Sequence, residues 1–212
     1  MEFLVGLTGK DYVLLASDVI HARSIMVLSS TATKFHPLSP HQILAAAGEV
    51  GETDRLREQL LAESSLANLR LGRPWRTSET AHFTRSFMAD ALRTRNPFSC
   101  QVLIAGVDGA KEIGSTPNGN VKNSINPATC TAALVDPIPS LYWMDHLAAL
   151  HRLPYAAHGY GGFFTWGLLD ARYRPDLTID EAIQLIADVL GELQARFIIQ
   201  MPRLELRLID KD

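Results

Sequence analysis

The chain has 212 residues, of which 47% are hydrophobic and 20% are charged, and its net charge at pH 7 is −3. This composition is typical of one globular domain with a full apolar core, and it lacks the basic excess that nucleic-acid binding requires. The sequence has neither the pattern of a secretory leader nor an apolar run of membrane-spanning length. We therefore expect no nucleic-acid and no membrane partner.

The cysteine and histidine positions predict no metal site. Cys100 and Cys130 lie in separate segments without the spacing of a disulfide pair, which favours a reduced, intracellular protein. The seven histidines are scattered, and no Cys, His, Asp or Glu grouping has a recognised zinc spacing. We expect neither a metal nor a cofactor.

The first third of the chain predicts a sheet. Residues 3–16 are almost continuously apolar around a turn at 9–11, which indicates two strands covered on both faces. We expect a third strand at about 24–29 and a polar turn around Lys34. Residues 42–48 predict a further strand, which ends at a glycine where the chain turns into a helix.

Two helices are predicted next. The first spans 52–71 and ends at Gly72, because glycine suits a helix C-terminus and Pro74 blocks continuation. Thr77 or Ser78 is the predicted N-cap of the second helix, which ends before Asn96. Its predicted buried stripe consists of Phe83, Phe87, Met88, Ala91 and Leu92.

Strands are predicted at 99–107 and 141–144, with an extended polar loop at about 109–140 between them. Residues 154–162 (PYAAHGYGG) indicate a glycine-rich turn into a third helix at 163–173.

The end of the chain predicts a fourth helix and a last strand. Residues 178–181 form a capping box, and helical spacing behind it is kept by Ile183, Ile186, Leu190, Leu193 and Phe197. Residues 203–209 alternate leucines with charged residues, which predicts a strand with one wet face. Strands and helices thus come in separate blocks. This α+β order favours two antiparallel sheets stacked between two helical layers, in a single domain spanning 1–212.

Long segments of the chain resemble the β-type subunits of the 20S proteasome core, and most closely the non-catalytic members of the eukaryotic seven-membered ring. These segments are MEFLVGLTGKDYVLLASD, AGEVGETD, YWMDHLAAL, LPYAAHGYGGF and LRLIDKD. The resemblance implies a four-layer αββα sandwich of the N-terminal-nucleophile hydrolase type.

In active members of this family, an N-terminal threonine attacks the peptide carbonyl and its own amine helps as base. The resemblance places Glu2 at that position, and a carboxylate has no hydroxyl with which to attack. Asp18 and Lys34 match the acid and the lysine that tune the threonine, and Gly48 matches the glycine whose N–H is the oxyanion donor. Without a nucleophile, we favour a structural ion pair for Asp18 and Lys34 over a surviving catalytic pair, and Gly48 has an alternative role as a close-packed strand end.

Two further parts of the sequence depart from the active pattern. The turn that reads Gly-Ser-Gly-Ser in active members is Gly159-Tyr160-Gly161-Gly162 here, and no Lys-Ser/Thr follows it as in a phosphate-binding loop. An aspartate and a serine after the fourth helix are replaced by Phe197 and Gln200. We therefore expect no catalytic residue, and a subunit that is not itself an enzyme although it belongs to a threonine endopeptidase complex.

The resemblance implies a structural role in ubiquitin- and ATP-dependent protein degradation, in the cytoplasm and nucleus. The implied partners are other β subunits in a heteroheptameric ring, the opposite β ring and the α ring. One alternative is an active threonine peptidase matured by internal cleavage before Thr8, Thr31 or Thr33. A second alternative is a small-molecule amidohydrolase of the same superfamily. It is disfavoured because it would also need an N-terminal Thr, Ser or Cys as the nucleophile.

The predicted loop at 109–140 is longer than the family pattern. A disordered insertion is favoured over an added contact to a neighbouring subunit or an external factor. Deletion of the loop tests this. Unchanged assembly and unchanged subunit contacts would remove the second possibility, and a lost contact would support it.

Overall fold

A computed structural model describes residues 2–23, 26–109, 137–197 and 203–210. The helices in this part are α1 (Val50–Leu71), α2 (Thr77–Ala91), α3 (Gly162–Arg172) and α4 (Ile179–Arg196). The strands are β1 (Phe3–Thr8), β2 (Val13–Asp18), β3 (His21–Arg23), β4 (Met26–Ser29), β5 (Phe35–Ser39), β6 (Gln42–Gly48), β7 (Cys100–Asp108), β8 (Ile138–Met144), β9 (Leu150–Arg152), β10 (Tyr155–Gly159) and β11 (Leu204–Ile209). No helix of the described ranges is long and apolar enough to cross a membrane.

Two antiparallel sheets form the centre of the molecule. One has the strand order β10-β1-β2-β11 and the other β5-β6-β7-β8-β9, while β3 and β4 pair separately as a small hairpin. Alternate residues of β1 point to opposite faces, so Leu4 packs between the sheets whereas Phe3 and Val5 pack under α3 and α4. The other sheet packs against α1 and α2 through residues such as Leu44 and Leu56. The predicted four-layer αββα sandwich is confirmed.

Several helix ends follow their local sequence. Gly72 adopts a φ of 68° after α1, as expected for a glycine at a helix C-terminus. At the start of α4, the N–H of Glu181 donates to Thr178 Oγ1 at 3.3 Å, and the N–H of Thr178 donates to the Glu181 carboxylate at 2.9 Å. The predicted capping box is therefore confirmed.

The N-cap predicted for α2 was wrong. The cap is Arg76, whose N–H donates to the carboxylate of Glu79 at 2.8 Å. Thr77 is the first helical residue, and both its N–H and its hydroxyl donate to Asp108 at 2.9 Å. A contact with β7 therefore replaces the expected local cap.

Four strands were missed: β5 and β10 contain residues typical of turns, and β3 and β9 are only three residues long. β5 includes Pro37, which its position at the sheet edge tolerates. The interpretation of residues 154–162 as a turn was wrong for Tyr155–Gly159, which form β10 and pair with β1 along their whole length. β9 ends at Arg152, just before β10 begins. The strand expected at 24–29 is the second arm of a hairpin, with Met26–Ser29 paired to His21–Arg23.

The apolar stripes of the helices differ in part from their predictions. In α4, Ile183 is exposed and the buried stripe consists of Ala182, Leu185, Ile186, Val189 and Leu193. In α2, Met88 is buried whereas Leu92 is exposed. On β11, both Leu206 and Leu208 are 41% exposed and Ile209 enters the core. The neighbouring elements, and not the helical or strand period alone, decide which apolar side chains are covered.

The loop expected at about 109–140 ends earlier than predicted. Ile138 to Ser140 already belong to β8 and pair with β7. Residues 110–136 lie outside the described part of the chain, as do Cys130 and Gln200.

A buried histidine connects the two sheets. His158 on β10 is 3% exposed, and its ring Nε2 lies 3.1 Å from the carbonyl oxygen of Val102 on β7. The ring also stacks on Trp143 of β8, with ring centroids 4.9 Å apart. Burial lowers the pKa of His158 from its ordinary 6.5 to about 4, because the charged ring would lose its hydration.

This depressed pKa predicts acid sensitivity. The unfolded chain takes up the proton more readily than the folded chain, so the contribution of neutral His158 is complete above pH 6.5 and is lost as the pH falls towards 4. The loss amounts to about 3 kcal/mol in the free energy of unfolding. Denaturant unfolding of the purified chain between pH 7 and pH 4 measures it.

His158→Gln should flatten this pH dependence, because the amide can still donate to Val102 and does not titrate there. His151→Gln is the matched control, since His151 also lies against Trp143 but is exposed on β9. An unchanged slope in the His158 variant would contradict the assignment.

Candidate functional site

An open cleft of about 650 Å³ lies at the start of β1. It is bounded by five parts of the fold: the start of β1, the hairpin of β3 and β4, the junction of β6 with α1, the first residues of β7, and the turn from β10 into α3. Its lining residues are Glu2, His21, Leu28, Gly48, Glu49, Val50, Gln101, Gly159, Tyr160 and Phe163. The sequence analysis selected Glu2, Gly48 and the turn beginning at Gly159. Glu49 and Val50 lie in the family-like segment AGEVGETD, whereas His21, Leu28, Gln101 and Phe163 had not been selected.

Asp18 and Lys34 form a buried ion pair beside this cleft. Lys34 Nζ lies 2.5 Å from Asp18 Oδ1, and the two residues are 7% and 1% exposed. The N–H of Phe3 donates to the same carboxylate oxygen at 2.8 Å. The pair connects the end of β2 to the segment entering β5, so it joins one sheet to the other and holds the first residues of β1.

The structure also brings Glu2 and Gly48 to this pair. Burial raises the pKa of Glu2 above its ordinary value, and the negative charge of Asp18 adds to that rise. The positive charge of Lys34 and the nearby backbone N–H of Gly48 act in the opposite direction and lower the pKa of Glu2. All four positions that the resemblance selected therefore lie within one electrostatic cluster.

The cleft depends on two glycines. Gly48 has a φ of 142°, and a Cβ there would come within 2.4 Å of the carbonyl oxygen of Ser99. Gly159 has a φ of 82°, and a Cβ there would meet the carbonyl oxygen of Glu2 at 1.9 Å. A residue other than glycine is excluded at both positions, because the positive φ is unfavourable for it and because there is no space for a Cβ. The interpretation of Gly48 as a close-packed strand end is compatible with this geometry.

The other residues that depart from the active pattern, around the 159–162 turn and at Phe197, lie at the edge of the cleft or outside it. Tyr160 and Phe163, around the turn that lacks serines, are 68% and 79% exposed. Phe197 follows α4 and packs edge-on against Phe164, with ring centroids 5.5 Å apart. Its position is explained by packing, as the sequence predicts.

A cysteine lies directly below the cleft but is not disposed to act as a nucleophile. Cys100 is 1% exposed, and its Cα and Cβ back the Gly48 backbone. Burial raises the pKa of its thiol to about 12, with a further contribution from Glu52. Because the thiolate is the reactive form, this thiol is inert at neutral pH.

Two antiparallel sheets between two pairs of helices, with the cleft at the first residues of β1, define the αββα class of N-terminal-nucleophile hydrolase folds. A family model described as proteasome subunit matches residues 3–131 and 128–209. The chain belongs to the proteasome subunit family.

Its relatives are β-type subunits. The chain is 32% identical to a probable proteasome subunit beta type-4 of Neurospora crassa, over 100% of this chain and 92% of that protein. It is 33% identical to a probable beta type-4 subunit of Schizosaccharomyces pombe, over 100% of this chain and 96% of that protein. It is 32% identical to proteasome subunit beta type-2-B of Arabidopsis thaliana, over 100% of this chain and 93% of that protein. The resemblance to β-type proteasome subunits is confirmed.

Removing one partner of the Asp18–Lys34 pair should destabilise the fold strongly. Lys34→Met or Asp18→Asn alone leaves a buried polar group without its partner, and each is expected to cost about 3–5 kcal/mol in the free energy of unfolding. The double variant should cost clearly less than the sum of the two. Denaturant unfolding of the four proteins as a double-mutant cycle measures the coupling.

Glu192→Gln is the control for this cycle, because it removes an exposed i,i+4 ion pair to Arg196. Its effect should be small, as is usual for surface pairs. Additive losses for the buried pair would mean that Asp18 and Lys34 act independently.

Proposed function

We propose that this chain is a non-catalytic structural β subunit of the 20S proteasome core. The observation that carries the proposal is Glu2 at the start of β1, beside Asp18 and Lys34, where active members of the family present a threonine. The likeness to beta type-4 relatives supports it, because type 4 is a non-catalytic member of the ring.

The chemistry of the cluster is consistent with a structural role. A carboxylate at position 2 offers no hydroxyl for attack on a peptide carbonyl. Asp18 accepts both the Phe3 N–H and the Lys34 ammonium, so its hydrogen bonds serve the backbone and the sheet-to-sheet connection. The same contacts that would tune a nucleophile in an active subunit here hold two sheets and the first strand together.

The alternative is a threonine peptidase matured by internal cleavage. Cleavage before Thr8 would remove nearly all of β1, which pairs with both β10 and β2. Cleavage before Thr31 or Thr33 would remove β2 and the hairpin as well. Each of the three cleavages would open the four-stranded sheet. Cleavage before Thr31 or Thr33 would also remove Asp18, so the geometry disfavours an active peptidase.

The proposed partners are the neighbouring β subunits, the opposite β ring and the α ring. Large apolar side chains are exposed on several faces, including Met26 and Val27 on the hairpin, Leu69 on α1 and Phe163 on α3. Side chains of this kind suit burial in subunit contacts. We propose that the assembled particle acts in the cytoplasm and nucleus, and that residues 1–212 of this chain form a single domain with an insertion at about 109–140.

The mature N-terminus of the chain tests the proposal. Intact mass of the chain from native particles should correspond to a polypeptide that retains Glu2. A threonine-directed electrophilic probe should label other β subunits of the same particle, which are the internal positive control, and leave this chain unlabelled. A chain shortened to begin at a threonine and carrying the probe would establish the peptidase instead.

A further inference from the structure

A row of four aromatic rings follows one side of α2. Neighbouring ring centroids lie 4.9, 6.3 and 5.4 Å apart along the row, which consists of Trp75, Phe83, Phe87 and Phe98. Phe98 is buried, whereas the other three side chains are half-buried. The guanidinium of Arg55 on α1 lies 4.2 Å from the centroid of the Phe98 ring, so this end of the row lies beside α1. The row leaves part of its aromatic surface open along α2.

The arginines of α2 and of the segment that follows it have no carboxylate partner. Arg85, Arg93 and Arg95 are exposed, and none of them forms an ion pair within the described ranges. Asp90 is the one carboxylate between residues 80 and 99, and it forms no ion pair with them. Their positive charge is therefore unmatched inside the described chain.

The opposite helical layer is different. Every arginine between residues 162 and 197 is paired: Arg172 with Asp188, Arg174 with Glu181 and Arg196 with Glu192. The two helical layers therefore present different chemistry. Around α3 and α4 the arginine charge is matched within the chain, whereas α2 presents arginines that are available to a partner, next to half-buried aromatic rings.

Aromatic side chains and arginines are the residues that most often anchor protein interfaces, and an arginine binds most strongly there to a carboxylate. We propose that α2 and residues 93–98 form a docking surface for a carboxylate-bearing segment of a neighbouring subunit of the particle. Aspartate or glutamate side chains of that segment pair with Arg85, Arg93 and Arg95, and an apolar side chain of it covers the aromatic row. The inference rests on the proposed function, because the partner is another subunit of the same particle.

A nucleic acid would also favour arginines beside aromatic rings. The first half of α1 lies next to this surface, because Arg55 donates to the carbonyl oxygen of Asn96 at 3.1 Å. That half carries Glu52, Asp54 and Glu58, and the whole chain has a net charge of −3. A continuous phosphate backbone would be repelled there, whereas a short acidic protein segment can end before it reaches α1. The charge distribution therefore favours a protein partner.

Charge reversal at Arg93 tests the contact. Wild-type and Arg93→Glu chains are expressed together, and intact mass of the subunits from purified particles gives the fraction of each chain that has been incorporated. We expect about tenfold less of the variant, which corresponds to about 1.4 kcal/mol, because its carboxylate meets a like charge on the partner. Arg95→Glu carries the same expectation.

Lys10→Glu is the matched control. Lys10 is exposed at the turn between β1 and β2, forms no ion pair in the described chain, and its reversal changes the net charge equally. This variant should be incorporated as well as the wild type. Denaturant unfolding of the purified chains should show equal stability for Arg93→Glu and Lys10→Glu, so that a difference in incorporation reports the contact.

A cross-link and a charge swap identify the partner. A photoreactive benzoylphenylalanine in place of Ser86, which is exposed at the centre of α2, is activated in purified particles. The captured segment should belong to another subunit and carry aspartate or glutamate. Replacing one of these carboxylates by lysine should restore the incorporation of Arg93→Glu.

Restored incorporation supports the proposal. It is overturned by equal incorporation of Arg93→Glu and wild type, by an equal loss in Lys10→Glu, or by a charge swap that restores nothing. A cross-link to nucleic acid or to a segment without carboxylates, or no cross-link at all, overturns it as well. Absence of the wild-type chain from the particles would refute the proposed function, whereas a chain that is present and insensitive to Arg93→Glu refutes this inference alone.

Discussion

The fold depends at one point on the buried ion pair of Asp18 and Lys34. Each sheet contributes one partner, because Asp18 ends β2 and Lys34 precedes β5. Two charges removed from water are tolerated only when each finds a close partner and further hydrogen bonds, and here the Phe3 N–H supplies one of these. The pair therefore sets the separation of the sheets at one end of the sandwich and the position from which the first strand starts.

The same arrangement explains how a cleft persists without an evident nucleophile. Gly48 and Gly159 shape it through backbone conformations and close contacts that a side chain would prevent. These constraints are those of the scaffold, and they hold whether the residue at the start of β1 carries a hydroxyl or a carboxylate.

Sequence reasoning reached the architecture because the most informative patterns are local. The doubly buried runs of β1 and β2, the glycine stop after α1 and the Thr178–Glu181 capping box each depend on residues a few positions apart. Long family-like segments then indicated that Glu2, Asp18, Lys34 and Gly48 would come together. The local patterns failed at β5 and β10, whose proline and glycines are typical of turns but are accommodated by sheet edges and a neighbouring strand.

The sequence by itself therefore determined the four helices, the long buried strands, the family and the identity of the residue at the start of β1. Only the tertiary structure decided that Thr77 binds Asp108 instead of capping α2, that Ile183 faces outward, and that His158 meets the carbonyl oxygen of Val102 on the other sheet. The physical reason is common to the three cases. A side chain or a backbone group takes the partner that is nearest in space, and that partner belongs to another strand or helix whose position no local pattern specifies.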